Sequence, residues 1–145
     1  MTETPTTFKR ILVPVDGSEL TQRAIDTSLD LAQQMKAGVV GFIANPRVPR
    51  IAAPEAGDDE SLSTAQAQPV LARFERAAHE RGVPFEGVFV QVPRVDQAII
   101  AAAEAHHCDM IVMVTHGRGA FGEFLFGSQT KAVLAGSKLP LLVLH

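Results

Sequence analysis

The chain has 145 residues, 46% of them hydrophobic and 20% charged. That is enough for one domain with a proper core, and it excludes a disordered or fibrous chain. A formal charge of −3, with the basic residues scattered, excludes the electrostatic footprint of a nucleic-acid or anionic-membrane binder.

The first strong signal is Arg10-Ile-Leu-Val-Pro-Val-Asp16, a short β-branched run that predicts a buried strand. Pro14 has no N–H, so its hydrogen-bond ladder should be dissolving near the end. Ser18 then suits a helix N-cap, with Glu19 in the first turn. Leu20, Ala24, Leu31, Ala32 and Met35 keep a helical period up to Gly38, weakened slightly by Ser28. Val39 to Ala44 reads as a second buried strand. From Asn45 to Gln68 the prolines and a Gly-Asp-Asp-Glu stretch break any period, which predicts a mobile loop grading into the next helix.

That helix is best defined over Val70, Phe74, Ala77 and Ala78, and it stops at Gly82. Phe85 to Val92 alternates and predicts a third strand, and Val95 to His107 an alanine-rich helix with Ile99, Ala102 and Ala103 inward. Met110 to Val114 is a fourth strand. A glycine-rich stretch from His116 to Gly127 follows, then a short helix from Ser128 to about Gly136 and a last strand over Leu139 to Leu144.

Strands alternate with helices and are apolar throughout, so they call for a parallel sheet covered on both faces. Right-handed crossovers make it open and doubly wound. Ligands of such sheets sit beyond the carboxyl ends of the strands, at the switch point. Asp16-Gly17-Ser18 and the segment from Thr115 onward should therefore share one rim.

Glycines after a strand let main-chain N–H groups face an anion, and Gly127-Ser128 opens a helix whose positive end adds a phosphate site. Arg118 offers a charged fork, and His116 either touches a phosphate or decorates the rim. The competing reading is a loop whose glycines only permit tight turns. Gly117-Arg-Gly119-Ala-Phe-Gly122 satisfies G-x-G-x-x-G, but it lies far from the first strand and no acidic residue follows Glu123. A nicotinamide site is thereby rejected. Gly122 to Ser128 has P-loop spacing, yet Ser128 stands where the lysine belongs.

The opening Ile11-Leu-Val-Pro-Val-Asp-Gly-Ser-Glu19, the run Cys108 to Gly119, Phe126-Gly-Ser128 and the terminal Leu139-Pro-Leu-Leu-Val-Leu144 resemble universal stress proteins. The resemblance covers nearly the whole chain. It implies a Rossmann-like α/β domain over residues 1–145, with five parallel strands in the order 3-2-1-4-5 and helices on both faces. Nucleotide-binding members carry a glycine, two residues, a glycine, nine residues, then Gly-Ser or Gly-Thr. Gly117 and Gly127-Ser128 match that spacing here, whereas Val114 replaces the first glycine.

The resemblance implies an adenine nucleotide (ATP, AMP or ADP, with Mg²⁺ as counter-ion). Adenosine would lie against Pro14, Val15 and Asp16, and phosphates on Gly117, Gly119, Gly127 and Ser128. Ala44, Val114, His116, Arg118 and Gln129 complete the expected nucleotide site. Asp16 can alternatively serve as a turn carboxylate and Ser128 as a plain N-cap. A homodimer through Leu141 to Leu144 is implied as well, because an apolar sheet edge invites pairing.

His106-His-Cys-Asp109 holds four potential metal ligands, but consecutive residues do not converge as a tetrahedral site requires. No nucleophile elbow and no general base for water is visible, so at most slow ATP hydrolysis is expected. The adenylating Ser-Gly-Gly-x-Asp-Ser loop is also missing. The rival reading is an interaction module that has lost its nucleotide, motivated by Val114. Without a basic n-region and apolar h-region at the start, and with one cysteine, a soluble cytoplasmic setting is expected.

Overall fold

The computed structural model describes residues 8–46, 64–115 and 128–145. In chain order they form β1 (Arg10–Pro14), α1 (Thr21–Met35), β2 (Gly38–Pro46), α2 (Thr64–Glu80), β3 (Phe85–Val92), α3 (Val95–Ala105), β4 (Met110–Val114), α4 (Ser128–Gly136) and β5 (Leu141–Leu144). The strands make one five-stranded sheet in the order β3-β2-β1-β4-β5, every neighbouring pair parallel. This is the doubly wound order expected from the sequence.

Alternation along each strand divides the core between the two faces. Ile11, Val13, Val39, Ile43 and Val112 pack with Ala24, Ile25 and Leu29 of α1 and Phe74 and Ala78 of α2. Leu12, Val40, Phe42, Ile111 and Met113 pack on the other face with Ile99, Ala102 and Ala103 of α3 and Val133 of α4. Helix α1 earns its place through burial of Thr21, Ala24, Ile25, Ser28, Leu29 and Ala32. These positions recur at the three-and-four spacing of one helical face. The hydroxyl of Ser28 donates to the Ile25 carbonyl at 3.2 Å, so this polar residue sits in the stripe without an orphaned donor.

Several boundaries differ from the sequence reading, each for a local reason. Ser18 does not cap α1. Its Oγ accepts the Leu20 amide at 3.3 Å inside a turn, and the helix starts only at Thr21. Helix α1 ends at Lys36, left-handed at φ 57°, while Gly38 already pairs with Arg10 in β2. The loop expected over 45–68 is shorter at both ends, because β2 runs to Pro46 and α2 starts at Thr64. Its central part, residues 47–63, lies outside the described residues. Pro69 lies within α2, so the prolines of this region do not mark loop alone. Helix α3 stops at Ala105, two residues early, and His107 has φ 56°. Strand β5 begins at Leu141 rather than Leu139, where the Leu139 amide instead donates to Ser137 Oγ at 3.0 Å.

The central strand β1 carries the feature that matters for function. The Val15 amide donates to the Phe42 carbonyl of β2 at 2.8 Å, and the Arg10 carbonyl accepts the Asp109 amide at the start of β4, also at 2.8 Å. Alternate residues of a strand face alternate neighbours, so Arg10, Leu12 and Pro14 face β4. Pro14 has no hydrogen to give there. The β1–β4 register accordingly covers Ile11↔Met110 and Leu12↔Ile111 and goes no further, while β1–β2 pairing continues to Pro14↔Phe42.

Candidate functional site

Where β1 and β4 part, a cavity of about 490 Å³ opens at the carboxyl ends of the strands. Strand β1 and the turn after it contribute Pro14, Val15, Asp16, Gly17 and Ser18. The end of β2 contributes Phe42, Ile43 and Ala44, and β4 contributes Met113 and Val114. Leu20, Thr21 and Ala24 come from the start of α1, Val95 and Ile99 from α3, and Gln129 from the first turn of α4. The volume falls within the roughly 300–1,000 Å³ typical of small-molecule sites.

The chemistry of the wall is lopsided. Aliphatic side chains form most of it. Asp16 is the one ionisable residue among the lining residues. Its Oδ1 accepts the Ser18 amide at 2.9 Å, and Gly17 between them has φ 78°, so the turn fixes where the carboxylate stands. A side chain at Gly17 would be strained in that left-handed conformation. At the other end, Gln129 belongs to the first turn of α4, where helix N–H groups and the dipole favour negative charge. A carboxylate at one end and a helix N-terminus at the other give the cavity a polarity.

Six of the sequence-expected site residues therefore come together: Pro14, Val15, Asp16, Ala44, Val114 and Gln129 all line this cavity. Ser128 is the first residue of α4. His116, Gly117, Arg118, Gly119 and Gly127 lie outside the described residues. Val114 lines the cavity and also packs against the core cluster on the α1 face. Sequence reasoning missed Thr21, Val95 and Ile99. No spacing within α1 or α3 signals that they meet at this rim.

Thr21 is 2% exposed, and its Oγ1 is buried with no hydrogen-bond partner among the described residues. A buried polar group without a partner is uncommon in a folded chain.

Elsewhere, the His106–Asp109 cluster is dispersed. His106 Nδ1 lies 3.3 Å from Glu86 Oε2, Cys108 is buried, and Asp109 Oδ2 accepts the amides of Lys9 and Arg10 at 2.6 and 3.0 Å. Among the described residues no group of three or more His, Cys, Asp or Glu is placed to hold a metal ion, and no helix is long and apolar enough to cross a membrane.

The open, doubly wound sheet with a crevice at its switch point defines a Rossmann-like α/β protein. The sequence model of the Universal stress protein family matches residues 7–145, and the chain belongs to that family. It is 34% identical to a universal stress protein of Thermus aquaticus over 95% of this chain and 99% of that one. It is 27% identical to one of Methanocaldococcus jannaschii, over 94% of this chain and 81% of that protein.

Among solved structures, a universal stress protein from Archaeoglobus fulgidus superposes with a TM-score of 0.76 at 18% identity, covering 95% and 99% of the two chains. The Archaeoglobus fulgidus protein in complex with dAMP gives 0.71 at 16% identity, over 97% and 100%. An Arabidopsis thaliana family member with AMP bound gives 0.67 at 17% identity, over 94% and 90%.

Proposed function

We propose that this chain is a regulatory domain that binds an adenine nucleotide in the crevice between β1 and β4. The observation that carries the reading is the polarity of the cavity. Apolar walls suit the base, and the Asp16 carboxylate suits the sugar hydroxyls as a hydrogen-bond acceptor. That same carboxylate repels phosphate, which therefore belongs at the far end, against the start of α4 and the glycine-rich segment from His116 to Gly127. Family members solved with dAMP and with AMP support the ligand class. ATP with Mg²⁺ as its counter-ion is the expected cellular form. The reading keeps hydrolysis at most slow, since it gives Asp16 to the turn and the sugar hydroxyls.

The same reading makes the chain a homodimer through β5. That strand is one edge of the sheet, and Leu142 is 38% exposed on it. Unpaired apolar edges are normally covered. A cytoplasmic setting, where a lone thiol stays reduced, completes the proposal.

A second reading, an interaction module without a nucleotide, is favoured by one observation: Val114 puts a side chain where the family motif has glycine. Thermal melting separates the two. A ligand that binds only the native state raises the melting temperature with concentration. AMP, ADP and ATP should each do so, and GMP less. Superimposable curves at millimolar nucleotide would leave the second reading standing. The chain has no Trp or Tyr, so unfolding is best followed by calorimetry or circular dichroism.

A further inference from the structure

Among the described residues lining the cavity, Thr21 is the one with a buried hydroxyl that has no hydrogen-bond partner. Thr21 opens α1, and its amide donates to the Ser18 carbonyl at 3.0 Å. Threonines inside helices can return their hydroxyl to a carbonyl three or four residues back. Here neither is used: the Ser18 carbonyl three back takes the Thr21 amide but not its hydroxyl, and the residue four back is Gly17, outside the helix with φ 78°. Ser28, on the same buried stripe seven residues on, does find such a carbonyl, at 3.2 Å. The stripe thus holds one satisfied hydroxyl and one orphan, and the orphan is the one on the cavity wall.

A valine would fill the same volume without an orphaned donor, so the hydroxyl weakens the ligand-free fold. We infer that Thr21 is a specificity-determining residue whose hydroxyl completes its hydrogen bonding on a polar edge of the bound nucleoside. The inference rests on the nucleotide reading above and deepens it. Hydroxyl and methyl branch from one Cβ, so a χ1 rotation between staggered wells moves the oxygen into the place the methyl held and toward a ligand. Thr21 sits on the α1 face of the sheet, while α4 packs with α3 on the opposite face. Its partner is therefore the nucleoside and not the phosphates.

The test compares wild type with Thr21→Val, Thr21→Ala and Thr21→Ser, by titration calorimetry with AMP, adenosine and 2′-deoxyadenosine and by melting without ligand. Thr21→Val should melt no lower than wild type, yet bind AMP and adenosine about fivefold more weakly, by the same factor for both. Thr21→Ser should keep wild-type affinity, and Thr21→Ala supplies the comparison if the valine variant does not fold. If the loss persists with 2′-deoxyadenosine, the contact is to the base edge; if it vanishes, the contact is to the 2′-hydroxyl. Either result supports the inference.

Equal affinities for wild type and Thr21→Val would overturn it. So would a lower ligand-free melting temperature for Thr21→Val, which would mean that the hydroxyl already has a partner inside the protein. Failure of wild type itself to bind AMP or adenosine would instead overturn the nucleotide reading, and this inference with it.

Discussion

The Asp16 carboxylate and the Ser18 amide are joined by a hydrogen bond of 2.9 Å that closes a turn at the mouth of the cavity. In the proposed function the carboxylate has two tasks, holding the turn and facing the ligand, and substitution can separate them. Asparagine keeps an acceptor oxygen for the turn but loses the charge, so Asp16→Asn should melt like wild type and bind nucleotide more weakly. Asp16→Ala loses both. Its affinity should fall by about tenfold or more, the value of a hydrogen bond to a charged group. Titration calorimetry together with melting reads the two effects apart, and wild-type affinity in Asp16→Ala would remove Asp16 from the site.

Val114 faces the cavity and at the same time packs into the core on the α1 side. Glycine there should open the crevice and remove a packed side chain. Val114→Gly is expected to bind AMP more tightly while losing about 2 kcal/mol of stability. Unchanged affinity would mean that the valine is accommodated beside the ligand.

A second glycine is needed for packing rather than for ligand approach. A Cβ on Gly41 would lie 2.7 Å from Phe85 Cζ and 3.0 Å from Phe74 Cδ2. Those two rings pack tilted by 40° at 4.8 Å between centroids, and they tie α2 to the β3 edge of the sheet. Gly41→Ala should cost about 1–3 kcal/mol through overpacking. Adding Phe85→Leu should recover part of it. Chemical denaturation of the single and double variants measures both.

Burial pushes the Cys108 thiol up from 9.0 to about 11. The thiolate is thus disfavoured in the folded chain, so the thiol should be inert to alkylation near neutral pH. The folded state holds its proton where the unfolded state has released it, between about pH 9 and about 11, so stability falls as pH rises through that window. From about pH 8 to about pH 10, wild type should lose about 1 kcal/mol more than Cys108→Ala. Parallel pH profiles for the two would show that the thiol does not contribute.

Much of the sheet could be read from the sequence because each strand is a compact apolar run flanked by turn residues. Met110 to Val114 needed nothing more than its own composition. Boundaries set by competition between local hydrogen bonds were less legible. Ser18 has the chemistry of a cap, but it is drawn into the turn held by Asp16, which delays α1 to Thr21. The broken period up to Gln68 suggests loop, yet α2 starts at Thr64 and its first turns carry Ala67 into the core. The site shows the same division. Asp16 and Val114 stand beside recognisable motifs, so they could be named. The convergence of Thr21, Val95 and Ile99 depends on how two helices, one on each face, meet the same rim, and no spacing within either helix reveals that.

Pro14 gives the crevice an unusual origin. A parallel sheet closes like a zipper, and at this tooth the chain has no proton to offer its neighbour, whatever rotamers surround it. The notch is therefore a property of the covalent backbone, present before any ligand arrives and indifferent to most exchanges of side chain along its walls. Changes along those walls can retune what fits there without moving the place itself.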